Sequence, residues 1–562
     1  MNKLLIALFT LISWNCKSQT VEKFNFGFEN QKAGNSLPDG WFKWGTYDLT
    51  IEETAHSGHK AGKITSDSTT NSFGSIAYKI PANYEGKTIR LEGYMKIKNV
   101  ENGVAGLLLR VDGNGAPLVF DNMQSQKISG TRDWQKYTIN LEYPRDAEQI
   151  YIAGILSGKG EAWFDDFTLY IDGKDVQTLK EVKKQFSKAR LDNEFDKGSQ
   201  IKIVDLTPKK IENLELLGRV WGFIKYHHPE IAKGNYNWDY ELFRLLPKYL
   251  EVANSRQRDQ LIIDWINALG EVKPCSTCSE TDKNAVLRPD LKWIDTQEAA
   301  LKSKLLFVYN NRSQGNHYYI KPGMVGNPEF TNERPYLNMP YPDDGFRLLT
   351  LYRYWNMIYY FFPYKHLMDE DWNKKLKVYI PVFLNAKDEL AYEMAAVQII
   401  GDIQDTHANL WAGANKIDEW KGANYPPVHL RFIEQQLAVT DYYQNDLKSL
   451  VGLKIGNVIT KINGRPVKEI VKEKSKFYPA SNEPTRLRDI SADLLRSDSD
   501  HIEIEFVSGN ARPQIKNLKL YPKGNLDVYR WYRKNKGRSF KMLDNNIGYI
   551  TLQNINKKIS PK

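Results

Sequence analysis

Residues 217–242, LGRVWGFIKYHHPEIAKGNYNWDYEL, align without a gap with residues 351–376, LYRYWNMIYYFFPYKHLMDEDWNKKL. Leu217, Arg219, Trp221, Ile224, Tyr226, Pro229, Trp238 and Leu242 each meet an identical residue 134 positions later. Average composition would give roughly one or two identities over such a span. The chain therefore holds two related helical hairpins, and the shared Trp and Tyr stripes read as packing faces. Thr207 is placed to cap the first helix, with Pro208 in its first turn. Leu217, Trp221 and Ile224 then fall on one apolar face. His227 and His228 are adjacent in sequence, which is not a metal-ligand spacing, and they read as structural.

The repeat sits inside a chain of 562 residues, a length that suggests about four domains. Hydrophobic residues at 41% and charged residues at 26% are ordinary for globular protein. The formal net charge is +10, yet Lys and Arg are mostly interleaved with Asp and Glu. The densest basic run, YRWYRKNKGRSFK at 529–541, reads as a solvated connector between domains. A nucleic-acid surface concentrates its charge, so no nucleic-acid partner is expected.

The first residues, MNKLLIALFTLISWNC, read as an export signal. Lys3 precedes the apolar run Leu4–Ile12, which is too short to span a bilayer. Cys16 after that run suggests lipidation, although Trp14 and Asn15 before it are unusual for that signal. Cleavage near Ser18 or Gln19 is the alternative. Either way the chain is expected outside the cytoplasm: in the periplasm, on the outer membrane as a lipoprotein, or secreted. A lipid on Cys16 would be its membrane contact. The other two cysteines, Cys275 and Cys278, have no further ligands nearby for a zinc site, and a local disulfide is expected in an oxidising compartment.

Short alternating segments recur between turn signals from 22 to 175, which argues for an all-β sandwich. FGFEN at 26–30, LPDGWFKWG at 37–45 and AWFDDFTLY at 162–170 give the region a resemblance to the jelly-roll, carbohydrate-binding-module-like domains of exported bacterial enzymes. That resemblance implies a possible glycan partner. It also implies a possible structural Ca²⁺ between the two ends, with Glu29 and Asp166 as ligands. Trp41 and Trp44 read as core residues or as sugar-stacking rings. Residues 176–206 read as a charged linker, and 207–415 as the helical domain. Leu390, Met394, Val397 and Ile400 mark its last helix, which ends near Gly401 and delivers GDIQDTHANLWAG, 401–413, to a helix C-terminus.

Val428–Phe432 and Gln436–Val439 then read as paired strands. GLKIGNVITKINGRPV, 452–467, resembles the carboxylate-loop-to-strand signature of PDZ domains, with Asn463-Gly464 as a turn. The resemblance implies an α+β domain over about 426–522 that takes free peptide C-termini at Gly452, Leu453, Ile455, Gly456 and Val458. IGYITLQNI follows and reads as a buried strand.

The order of these parts resembles the tail-specific (C-terminal processing) and tricorn-type serine peptidases over about 207–562. On that resemblance Thr406 and His407 match the hydroxyl–imidazole pair that supplies the general base, with Asp405 holding the ring. A Ser/Lys branch of the same family, in which this His is not the base, stays open. After Ile547 the only serine is Ser560, so the nucleophile is missing. Residues 540–562 are then the start of a truncated α/β peptidase core. The expectation is an exported serine peptidase cutting peptide or protein substrates without a catalytic cofactor, inactive as this chain alone. The alternative is a non-catalytic exported binding protein that uses its sandwich for glycan and its PDZ-like domain for peptide C-termini.

Overall fold

The computed structural model describes residues 22–67, 72–113, 116–276, 278, 288–323, 325–411, 415–528 and 540–550. Cys16 and the export signal, most of the basic run at 529–541, and the tail from 551 to 562 lie outside them. The described chain contains a β-sandwich, a helical region and a mixed α/β region. It divides into two compact units, the first running to Asn193 and taking in Tyr318–Lys321 and Glu329–Leu337, the second holding the rest.

The first unit is the sandwich. Its strands are β1 (Trp41–Gly45), β2 (Asp48–Glu52), β3 (Ala61–Ser66), β4 (Phe73–Pro81), β5 (Thr88–Glu101), β6 (Ala105–Gly113), β7 (Ala116–Asp121), β8 (Gly130–Glu142), β9 (Gln149–Ser157) and β10 (Lys159–Ile171). One antiparallel sheet runs β1-β4-β9-β6-β7 and the other β2-β3-β10-β5-β8. Inward residues at alternate positions, such as Ile76 and Ile80, Leu107 and Leu109, Ile150 and Ile152, meet Leu91, Phe164 and Leu169 of the facing sheet in one core. Trp41 belongs to that core: its ring stacks on Phe28 at 4.1 Å and its indole N–H donates to the Asn25 carbonyl at 2.6 Å. Residues 176–193, expected to open a linker, instead pack on the sandwich. Buried Arg190 pairs with Glu148 at 2.8 Å, because its guanidinium finds a carboxylate there and its stem finds apolar cover.

The second unit opens with helices α1 (Pro208–His227), α2 (Trp238–Leu250), α3 (Ser255–Ala268), α4 (Ala299–Asn310), α5 (Asp344–Phe361), α6 (Trp372–Leu384) and α7 (Glu389–Gly401). Thr207 caps α1 by accepting from the Lys210 N–H at 3.2 Å, with Pro208 in the first turn. The repeat is structural. In the first hairpin Trp221 and Trp238 each donate their indole N–H to the other's backbone carbonyl, at 3.0 and 2.9 Å. Trp355 and Trp372 do the same in the second, at 3.0 and 3.1 Å. The arginines cross over: Arg219 of α1 donates to the carbonyl of Asn373 in α6, and Arg353 of α5 pairs with Asp239 in α2. Since 373 lies 134 past 239, the two hairpins embrace as a pseudo-twofold pair. Tyr352 and Asn356 reach across to the carbonyls of Leu214 and Gly218. A Cβ at Gly222 would collide with the Asn356 amide, so α1 and α5 meet where the first repeat is small.

A smaller α+β domain follows. Its antiparallel sheet runs β11 (Val428–Ile433), β12 (Gln436–Tyr442), β13 (Val458–Ile462), β14 (His501–Val507) and β15 (Gln514–Lys519) in chain order. Helices α8 (Val467–Lys474) and α9 (Glu483–Asp493) supply Ile470 and Ile490 to its core. Asn463 and Gly464 form the expected turn, both with positive φ. Last come β16 (Phe540–Leu543) and β17 (Ile547–Ile550), an antiparallel pair. Ile547–Ile550 was expected to be buried and is exposed along its length, having only β16 beside it among the described residues. No helix among the described residues is long and apolar enough to cross a membrane.

Candidate functional site

The outer face of the β1-β4-β9-β6-β7 sheet carries an aromatic platform. Cross-strand register aligns Lys79 of β4, Tyr151 of β9, Arg110 of β6 and Phe120 of β7 in one row. Trp44 of β1 projects on the same face, and its ring lies 5.5 Å from that of Tyr151. The Arg110 guanidinium sits over both rings, at 5.3 Å from Trp44 and 5.6 Å from Tyr151. Asp112, two residues on and therefore on the same face, fixes that guanidinium with two hydrogen bonds of 2.6 Å. The Lys79 ammonium is 5.9 Å from the Tyr151 ring. Beneath lie Ala77, Leu108 and Ala153, with Phe42 packed against them. The small residues make the floor flat, and half-exposed Phe120 extends it. Trp41 and Trp44 thus separate: the first is core and the second is surface.

At one end of the sandwich, carboxylates hold the loop 56–60. Glu29 accepts from the His59 and Lys60 amides at 2.7 and 3.1 Å. Asp166 accepts from the Ser57 hydroxyl at 2.8 Å and pairs with His56 Nδ1 at 2.7 Å. Asp165 accepts from the His56 and Ser57 amides, and burial pushes its carboxyl up to about 6. Calcium takes six to eight oxygens. Here Glu29 and Asp166 are engaged with the loop, and among the described residues no group of three or more His, Cys, Asp or Glu could hold a metal ion.

Helix α7 ends at Gly401, and Asp405, Thr406 and His407 follow as a turn. Asp405 Oδ1 accepts from the His407 amide at 2.8 Å and lies 3.6 Å from its ring nitrogen. The His407 side chain is 99% exposed. The Thr406 hydroxyl is tied to Ser481 instead: the two Oγ atoms are 2.9 Å apart, and each residue's amide donates to the other's hydroxyl at 3.0 Å. The three residues are neighbours without forming a hydroxyl–imidazole–carboxylate relay. The Thr406 hydroxyl serves a clasp between two segments of the second unit.

In the α+β domain a groove of about 1130 Å³ opens between α8 and α9 over β11–β13. Phe432, Leu437, Val458, Ile459, Val467, Val471 and Leu487 line it, and Arg431, Lys468, Glu483 and Arg488 are among its polar residues. The edge beside it is open. Glu434 and Gln435 form a two-residue turn with positive φ at both, which makes Ile433 and Gln436 a hydrogen-bonded pair. Arg431 and Ala438 are the next such pair, so Leu430 and Phe432 turn their N–H and C=O to the outer edge. Ser491 of α9 covers the Leu430 carbonyl at 3.2 Å. The Phe432 groups face outward on the edge strand.

Of the five peptide-binding residues expected from sequence, Val458 lines this groove. Gly452 ends a helical turn with φ 63°, Leu453 is buried and Ile455 is exposed. The Gly456 amide donates to the Val439 carbonyl, the Asn457 amide to the Lys454 carbonyl, and the Lys454 amide to Asn457 Oδ1. Two of these amides close the loop on itself and the third ties it to β12. Apart from Val458, the groove's apolar residues went unnoticed in the sequence because they come from five separate elements. Tyr151 had a signal: QIYIAGILS is apolar at both parities, as a strand covered on both faces would be.

Cys275 and Cys278 form a disulfide with Cα atoms 5.5 Å apart, within the span that bridged cysteines adopt.

No family model matches the chain. A curated relative is an uncharacterized HTH-type transcriptional regulator, YbfP, of Bacillus subtilis (strain 168), 33% identical over 135 residues. That is 22% of this chain, and the chain spans 45% of the relative's length. Solved structures similar to the chain include TmCBM61 in complex with β-1,4-galactotriose, at 16% identity over 26% of this chain and 95% of that one, TM-score 0.19. The CBM22-1 xylan-binding domain from Paenibacillus barcinonensis Xyn10C is similar at 16% identity, over 26% of this chain and 92% of that one, TM-score 0.20. A CBM4 structure reaches 21% identity over 27% and 97%, TM-score 0.19. The relative overturns the reading of residues 207–562 as a tail-specific or tricorn-type serine peptidase with a PDZ domain, and with it the terms hydrolase, protease and PDZ domain. The geometry gives the reason. Thr406 and His407 are adjacent in sequence, but Thr406 Oγ1 is bonded to Ser481.

Proposed function

We propose that this chain is an exported binding protein that holds a glycan on the outer face of its sandwich. The observation carrying this reading is the Trp44–Tyr151–Arg110 platform. Aromatic faces offer flat apolar area to the C–H faces of sugar rings, and their lost rotamer freedom is small. Arg110, held flat by Asp112, presents further N–H donors to ring hydroxyls. The disulfide supports an oxidising compartment. Xylan and β-1,4-galactotriose, named for similar domains, are the first probes. In affinity electrophoresis the full chain should be retarded by at least one of them, and Tyr151→Ala should run unretarded while keeping its far-UV spectrum. Equal mobility of wild type and Tyr151→Ala in every glycan would end this reading.

A second ligand is favoured by the groove of the α+β domain. An extended peptide end can add its backbone to the open edge at Phe432 and place side chains on Leu437, Ile459 and Val471. Edge pairing supplies affinity independent of sequence, and the apolar floor selects the side chain.

A further inference from the structure

We infer that Lys468 is the residue that reads a free peptide C-terminus in the groove between α8 and α9, an inference that rests on the peptide reading just given. Charge points to it first. The groove lining carries three cations, Arg431, Lys468 and Arg488, against one acid, Glu483, so it favours an anionic group on its ligand. Two of these four charges are already answered. Arg488 is clamped by its neighbour Asp489 at 2.7 and 3.1 Å, and Glu483 pairs with Arg486 at 2.7 Å.

Lys468 has no ion-pair partner among the described residues. It is exposed on α8, directly after Val467 and one turn before Val471. Both valines wall the groove, so the ammonium stands beside an apolar pocket. A terminal residue would put its side chain against the valines and its carboxylate on the ammonium. Three main-chain amides of the neighbouring loop are already engaged. In the loop 452–457 the amides of Lys454 and Asn457 bond within the loop and the Gly456 amide bonds the Val439 carbonyl of β12, and none of those three residues lines the groove. The ligand class is an extended peptide ending in an apolar residue with its carboxylate free. Its selectivity for the terminus comes from a lysine side chain, which makes it sensitive to salt.

The test uses the full chain and a library of octapeptides with the last three residues randomised, each prepared as free acid and as C-terminal amide. Binding is read by fluorescence anisotropy in wild type, Lys468→Gln and Leu487→Glu. The expected result is about tenfold weaker binding of amides than of acids to wild type. In Lys468→Gln acids and amides should bind alike, and Leu487→Glu should bind neither. Equal binding of acid and amide by wild type, or a preference that survives in Lys468→Gln, overturns the role of Lys468 while leaving the groove reading intact. No binding of any peptide by wild type, or unchanged binding by Leu487→Glu, overturns the groove reading and the inference together. Lys468→Gln changes an exposed side chain, and an unchanged melting temperature will show that its effect is local.

Discussion

Trp41 and Trp44 stand three residues apart on one strand, and that odd spacing sends their side chains to opposite faces of the sheet. Their chemistry is identical and their roles are not. Trp41→Ala removes a buried ring stacked on Phe28 and should cost about 3–5 kcal/mol of stability. Trp44→Ala should cost about 1 kcal/mol and abolish retention by the glycan that wild type binds. Denaturant melts and affinity gels run on both variants will check the pair, and a Trp41→Ala protein as stable as Trp44→Ala would contradict the assignment. At this scale the sequence was legible where chemistry is local. The Thr207 cap is an example, since a hydroxyl need only reach an amide three residues on. His407 was not legible. Its neighbours in sequence are a carboxylate and a hydroxyl, but the hydroxyl's partner, Ser481, comes from 75 residues away.

The helical hairpins are the clearest case at the scale of elements. Their repeat was readable because the residues that specify a hairpin recur at one offset. The crossing of Arg219 and Arg353 was not, because it depends on how two hairpins face each other. The crossed contacts differ in kind. Arg353 answers a buried carboxylate, Asp239, whereas Arg219 reaches a neutral amide and carbonyl at Asn373 and a half-buried Glu215 of its own helix. Arg353→Ala should cost about 3 kcal/mol, since it takes the guanidinium from a buried carboxylate. Arg219→Ala leaves neutral groups and a carboxylate open to water, and should cost about 1–2 kcal/mol. Guanidinium melts will order the two, and the reverse order would show that the pseudo-twofold contacts are not distinguished by charge.

Across the whole molecule, the two units should respond differently to acid. In the second unit His227, His228 and His317 are each pushed down to about 4, in every case mainly by burial. An unfolded histidine titrates near 6.5. Between those values the unfolded chain binds more protons, so this contribution to stability is present above pH 6.5 and is lost as pH falls toward 4. In the first unit burial raises Asp165 to about 6, above its unfolded value near 3.9. The folded form then binds the extra proton, and Asp165 contributes stability as pH falls through 6. Calorimetry at pH 7.5 and pH 5 should therefore show the transition of the second unit falling while that of the sandwich holds. A common shift of both would contradict it.

By itself the sequence determined the elements: alternation gave the strands of the sandwich, the 134-residue offset gave the hairpins, and Asn463-Gly464 gave its turn. These follow from forces that act within a few residues, where period, cap and turn chemistry settle the backbone. The tertiary structure alone decided which side chains meet. It paired Thr406 with Ser481, engaged the amides of Lys454, Gly456 and Asn457, gathered the groove from five elements, and set Trp44, Tyr151 and Arg110 together from strands β1, β9 and β6. A binding surface is made by packing across long stretches of chain, and a short motif such as D-T-H carries no information about the partner that packing brings to it.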